Sequence, residues 1–180
     1  MRKLACFLFM SVDGVIESPD QFVHESLYKD LTAVIEMAIE DQDGVLLGRK
    51  LYEEWSEYWP SSPIEPFNGF INPVRKYVVS RTLKEVGWTN ATLLEGDLAT
   101  AVKALKNTTG GTLCVHGSVE LAQSLLALGL IDELRLIHFP ALAGRGRRLF
   151  EAVDGPVHLD LRHSHATAGG LQYLVYGVRA

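Results

Sequence analysis

Short, nearly continuous apolar runs recur along this chain, separated by segments whose apolar residues fall at helical spacing. Leu4–Met10, Gly44–Gly48, Tyr77–Ser80, Thr112–Val115 and Ile131–Phe139 are such runs, and an apolar run without polar alternation is what a strand covered on both faces requires. Thr92–Leu94 reads as one more. Between them, Glu25–Glu40 places Leu27, Leu31, Val34, Ile35, Ala38 and Ile39 on one stripe, as a helix lying on a sheet demands. Lys50–Glu57 reads as a helix that Pro60 stops. Asp97 suits the N-cap of a helix carrying Leu98, Ala101, Val102 and Leu105. Leu121, Ala122, Leu125 and Leu126 mark another, which Gly129 closes as a left-handed C-cap. The pattern changes in the tail: Val157, Leu159 and Leu161 alternate with His158, Asp160 and Arg162, and Leu171–Val178 follows Ala168-Gly169-Gly170. That is an antiparallel hairpin with one wetter face. Together these segments predict an α/β domain of three layers, its sheet mostly parallel with an antiparallel edge.

The chain's 180 residues suit one domain, 1–180, with one sizeable core. Trp59–Pro73, containing Pro60, Pro63, Pro66 and Pro73, is the irregular stretch and reads as a surface loop. A net charge of −5 offers no bulk attraction to nucleic acid or an anionic membrane, and no apolar stretch approaches the roughly 20 residues of a membrane span. The N-terminal MRKLACFLFMSVDG resembles a signal peptide only superficially, because its apolar run is short and Asp13-Gly14 stands where a cleavage site belongs. It reads as the buried first strand of a cytoplasmic protein. The two cysteines, Cys6 and Cys114, lie in apolar runs and read as buried reduced thiols.

Ligands of open parallel sheets bind at the C-terminal strand ends. Three ends here carry similar residues: Gly48-Arg49, Ser80-Arg81 and His116-Gly117-Ser118. Glycine lets the backbone approach an anion, a helix start offers free N–H groups, and Arg or Ser adds donors. Each pair alone reads as turn chemistry; the ordered trio points to a groove for a phosphorylated cofactor. Two arginines favour a 2′-phosphate, and so NADP over NAD. No G-x-G-x-x-G or G-x-x-x-x-G-K-[ST] is present. Asp13-Gly14 is either a tight turn or a loop across the nicotinamide with Val15 and Ile16 against the ring. Gly144-Arg145-Gly146-Arg147-Arg148 is either a solvated turn or a basic corner near a phosphate. His158, His163 and His165 lack partners at metal-ligand spacing, so no metal site is expected. His138 reads as a satisfied strand imidazole. Trp55, Trp59 and Trp88 read as packing residues. No G-x-S-x-G or H-E-x-x-H supports a hydrolase.

Taken together, MSVDGVIE (10–17), VLLGRKLYEEW (45–55), YVVSRTL (77–83), VHGSVELAQSLLALGLIDELRL (115–136) and ALAGRGRRLF (141–150) resemble, in order and spacing, the dihydrofolate reductase-like superfamily. The resemblance covers nearly the whole chain. It is closest to the branch containing the C-terminal reductase domain of the bifunctional riboflavin-biosynthesis deaminase-reductase. It implies a three-layer fold with a mostly parallel sheet of about eight strands and a C-terminal hairpin. It also implies NADPH across the strand ends, a pterin- or ribosylaminopyrimidine-like substrate beside the nicotinamide, and a homodimer. Carried over residue by residue, Gly48, Arg49 and Lys50 would hold the adenosine phosphates, and Ser80 and Arg81 the 2′-phosphate side. Gly117, Ser118, Val119 and Glu120 would line the pyrophosphate, while Asp13, Val15 and Ile16 would border the nicotinamide and substrate. Asp13 is the polar group expected at the reacting end.

This chain departs from the family in three places. Ser118 stands where many members have a second glycine, often after a cis peptide. Leu51 replaces the usual Thr or Ser. No carboxylate matches the helix acid that assists folate reduction, for which Glu25 and Asp30 are nearby candidates. The zinc-deaminase motif is also missing. The expected activity is therefore an NADPH-dependent reductase resembling either 5-amino-6-(5-phosphoribosylamino)uracil reductase or dihydrofolate reductase. The competing expectation is a non-catalytic nucleotide- or pterin-binding protein on the same scaffold.

Overall fold

The computed structural model describes residues 1–153 and 155–179. Eight strands, β1 (Leu4–Ser11), β2 (Gln42–Gly48), β3 (Arg75–Val79), β4 (Ala91–Leu94), β5 (Thr112–His116), β6 (Glu133–Phe139), β7 (Leu159–Ala166) and β8 (Gln172–Val178), form one sheet in the order β4-β3-β2-β5-β1-β6-β8-β7. The first six pair in parallel, and β8 runs antiparallel to both β6 and β7. The helices are α1 (Tyr28–Ile39), α2 (Arg49–Tyr58), α3 (Phe67–Ile71), α4 (Leu98–Lys106) and α5 (Val119–Ala127).

The apolar runs are explained by burial on two faces. Leu4, Cys6, Leu8 and Met10 of β1 pack with Val102 of α4 and Leu121, Ala122 and Leu125 of α5. Ala5 and Phe7, pointing the other way, pack with Leu31, Val34 and Ala38 of α1. Val45, Leu47 and Val78 extend that second face under Tyr52, Phe67 and Ile71. Period-2 alternation along a strand sends successive side chains to opposite layers, so both layers need apolar residues. β7 is the exception: it lies at the sheet edge, largely exposed, with Leu161 57 % accessible.

The helix ends follow local chemistry. Asp97 caps α4 by accepting the Thr100 N–H at 2.9 Å, and Gly129 adopts the expected left-handed conformation at φ +64°. Trp59–Pro73 is more ordered than its prolines suggest, which corrects the surface-loop reading. After α2 the chain makes a 3₁₀ turn at Trp59–Ser61 and then α3, burying Phe67 and Ile71 against the sheet. Proline is tolerated at a helix start, where N–H groups have no intrahelical partner, so Pro60 and Pro66 each stand at the start of a short helix. Cys6 and Cys114 are buried free thiols, and burial pushes the Cys6 thiol up to about 12. No helix among the described residues is long and apolar enough to cross a membrane.

Candidate active site

Strand order brings the site together. β3, β2 and β5 are consecutive in the sheet, so Ser80-Arg81, Gly48-Arg49 and Gly117-Ser118 share one rim. They line a single cleft of about 1430 Å³. α2 and α5 both begin at this rim, and Arg49, Lys50, Leu51, Val119, Glu120 and Leu121 all line it. The first N–H groups of a helix have no intrahelical acceptor and carry partial positive charge, so two helix starts give the cleft an anion-binding wall.

The donors differ in availability. The Gly48 N–H is committed: it donates to Ser118 Oγ at 2.8 Å, stitching the ends of β2 and β5. A Cβ at position 48 would lie 3.2 Å from that oxygen, so Gly48 acts by permitting this close approach and does not itself offer a donor. The Ser118 N–H donates to the His116 carbonyl at 2.5 Å across Gly117, whose φ is +54°. The Gly117-Ser118 peptide is not cis; Glu65-Pro66 is the cis bond among the described residues. Free donors at this elbow are therefore the Ser118 hydroxyl hydrogen and the amides that follow. Leu51 lies over Gly117, where a Cβ would meet its Cδ2 at 3.1 Å, and thus covers with a methyl the place where a hydroxyl was expected. Arg49 is held by Glu53 at 3.0 Å, whereas Lys50 and Arg81 are exposed along the cleft. Ser80 Oγ accepts the Thr82 and Leu83 N–H groups at 3.1 and 3.0 Å and lies 3.5 Å from Thr82 Oγ1.

Asp13 is not at the reacting end. It does not line the cleft; one carboxylate oxygen accepts from the Ser11 hydroxyl at 2.6 Å and the Ala143 N–H at 2.9 Å, the other from the Gly144 N–H at 2.8 Å. These bonds, the Ser11 hydroxyl first, hold its pKa down to about 2, so it has no proton to give near neutrality. Its work is to pin the chain after β6 to the end of β1. Asp13→Ala is accordingly expected to speed amide hydrogen exchange at Ala143 and Gly144 while leaving β1 protected, as read by mass spectrometry. Val15 is likewise buried, beneath Gly146, where a Cβ would come within 2.7 Å of its methyl. Ile16 does line the cleft. The basic corner divides: Arg148 Nε donates to the Asp13 carbonyl at 2.9 Å, and Arg147 reaches the cleft, bridging Glu17 at 2.9 Å and Glu120 at 3.2 Å.

Neither acid proposed from the sequence faces the cleft. Asp30 accepts the Gly169 N–H at 2.8 Å, and Glu25 is exposed in the turn before α1. The α1 residues that line the cleft are Tyr28, Leu31, Thr32 and Ile35, none of them acidic. Sequence reasoning also missed several contributors. Trp55, Trp59 and Phe67 form an aromatic wall, with Trp59 and Phe67 centroids 4.8 Å apart. Gly96 and Asp97 add a fourth elbow at the end of β4. That elbow was detectable, because β4 obeys the same strand-end rule as its neighbours; the wall was hidden in the proline-rich stretch.

His116, at the end of β5, also lines the cleft, although it is 2 % exposed. Its Nε2 lies 2.7 Å from Gln42 Oε1, and the Gln42 amide nitrogen donates to the Ala38 carbonyl at 2.7 Å. Burial pulls the imidazole pKa down to about 3. A histidine neutral in the folded state but protonated in the unfolded one favours unfolding as pH falls below about 6.5, by up to roughly 1.4 kcal/mol per pH unit. Urea midpoints are therefore expected to drop steeply from pH 6.5 towards 4, and His116→Asn to flatten that slope.

The fold and this rim place the protein in a recognisable class. An Enterococcus faecalis dihydrofolate reductase complexed with NADP(H) and RAB-propyl superposes with a TM-score of 0.64 at 14 % identity, covering 99 % of this chain and 97 % of that one. A pyrimidine reductase-like protein from Corynebacterium diphtheriae gives 0.67 at 12 % identity, over 99 % and 92 %. A candidate riboflavin biosynthesis protein from Shewanella sp. PV-4 gives 0.72 at 20 % identity, over 99 % of both chains. The fold is dihydrofolate reductase-like. The family model of the RibD C-terminal domain matches residues 2–173, and the chain belongs to that family. It is also 26 % identical over 179 residues to YyaP of Bacillus subtilis (strain 168), covering 97 % of this chain and 94 % of that protein.

Proposed function

We propose that this protein is an NADPH-dependent reductase of a small planar heterocycle. The observation that carries this reading is the convergence of three adjacent strand ends and two helix starts on a cleft that Trp55, Trp59 and Phe67 also line. Arg81, Ser80 and Lys50 would hold the phosphates of the adenosine half, with the amides at Val119 and Glu120 and the Ser118 hydroxyl along the pyrophosphate. Ile16 would border the nicotinamide. When bound, NADPH supplies a hydride, two electrons with one proton, to an electrophilic carbon of a C=N bond and leaves as NADP⁺; the nitrogen takes up a proton. His116 and Asp13 cannot supply that proton near neutrality, because burial keeps the first neutral and hydrogen bonds keep the second ionised. Water entering at the cleft mouth would supply it. The chain's own contribution is therefore to align the two rings and exclude bulk water.

Calorimetric titration with NADPH tests the reading: saturable one-site binding is expected, and absence of binding overturns it. Leu51 and the lack of an acid on the cleft face of α1 favour a second reading, a non-catalytic binder on the same scaffold. NADPH binding without NADPH oxidation across a panel of dihydropterins and ribosylaminopyrimidines would select it. We further propose a cytoplasmic homodimer, for which exposed β7 offers a surface; sedimentation at about twice the mass of one chain is the expected result.

A further inference from the structure

We propose that Arg147 is a further ligand of the cofactor's diphosphate, and that the Glu120 carboxylate occupies its guanidinium in the free protein. This rests on the reductase reading and adds to it a cation that exchanges partners when the cofactor arrives.

Tertiary packing fixes where the guanidinium stands. Arg147 follows β6 on the basic corner and lines the cleft. The Ile16 N–H donates to its carbonyl at 3.0 Å, and Val15 pairs with Arg148 in an antiparallel bridge. The corner is thereby fastened to the segment after β1. The Arg147 amide and Nε both donate to the Glu17 carboxylate, at 3.2 and 2.9 Å. With Nε engaged there, Nη1 donates to Glu120 Oε1 at 3.2 Å. Glu120 is the second residue of α5, so the guanidinium stands beside the first turn of that helix, along which the diphosphate is proposed to lie. A guanidinium carries five N–H donors, and Nη2 makes no hydrogen bond among the described residues.

The two carboxylates are not held alike. Glu17 accepts two bonds from Arg147, its side chain is 39 % exposed, and those bonds hold its carboxyl below the ordinary carboxylate range. Glu120 has the single, longer contact and is 71 % exposed. A one-bond ion pair in water is weak, so Glu120 is the partner that yields. A diphosphate brings more charge and more acceptor oxygens than a carboxylate, and arginine meets phosphate oxygens through paired N–H bonds. Glu120 left in place would repel it, whereas a side chain so exposed can turn to solvent. The Glu17 clasp survives the exchange. Bound diphosphate, Arg147 and the Ile16–Asp20 segment, which also lines the cleft, then form one connected unit.

Calorimetry on the full-length protein with NADPH, NADH and 2′-AMP tests this. Arg147→Ala is expected to weaken NADPH and NADH alike, by about tenfold or more, because both carry the diphosphate. Binding of 2′-AMP, which has none, is expected to stay within about twofold. Unchanged dinucleotide affinity, loss for NADPH without NADH, or equal loss for 2′-AMP overturns the assignment. Glu120→Gln removes the competing charge and is expected to tighten both dinucleotides about two- to fivefold; no change, or weakening, overturns the role given to Glu120. Failure of NADPH to bind the wild type would instead overturn the reductase reading, so the two failures are distinct. Should R147A fail to fold, arginine side-chain NMR of the wild type decides: NADPH is expected to move the Arg147 Nη signals while Nε stays bonded to Glu17, and unmoved Nη signals overturn the assignment.

Discussion

Replacing Arg81 by alanine is expected to weaken NADPH binding by about 10- to 100-fold while leaving NADH binding within about twofold. A charge-assisted hydrogen bond contributes about 1.5–3 kcal/mol, which sets that range, and only the 2′-phosphate distinguishes the two cofactors. Arg81 is the arginine chosen because its guanidinium is exposed on the cleft with no carboxylate partner among the described residues. Arg49, by contrast, already donates to Glu53 at 3.0 Å, so a phosphate must compete for it. Arg49→Ala should accordingly cost less than R81A. Parallel calorimetry with NADPH and NADH checks both; equal loss for the two cofactors in R81A would move Arg81 away from the 2′-phosphate.

Lys76→Met is expected to lower the unfolding free energy by about 3 kcal/mol, measured by urea denaturation. Lys76 is fully buried, and its ammonium donates to the carbonyls of Asn72 at 2.8 Å, Val74 at 2.8 Å and Thr89 at 2.9 Å, with the Trp88 ring 4.5 Å away. It thus satisfies carbonyls at the C-terminal end of α3 and fixes the turn into β3. Methionine fills the space but leaves three buried acceptors without a donor, at about 1 kcal/mol or more each. Burial also pulls the amine down to about 8 from 10.5. Between those values the unfolded chain holds a proton that the folded chain has lost, so wild-type stability gains a rising contribution from Lys76 between pH 8 and 10.5. K76M removes that contribution.

Both predictions depend on neighbours that local sequence cannot name, and the division runs through the whole molecule. The strands, the capped α4, the left-handed end of α5 and the hairpin were all readable because each is written in a few consecutive residues: apolar periodicity, an Asp before a helix, a Gly after one. The residues of the rim were readable for the same reason, since a strand end followed by Gly-Arg or Gly-Ser announces an elbow wherever it occurs. The order that sets β3, β2 and β5 side by side is a tertiary fact. So are the turning of Asp13 away from the cleft, onto amides 130 and 131 residues later, and the delivery of Trp59 and Phe67 to its wall by a proline-rich stretch. Periodicity reports only whether a side chain is covered. What covers it, and therefore which charges are spent on structure and which remain for a ligand, is decided when distant segments pack.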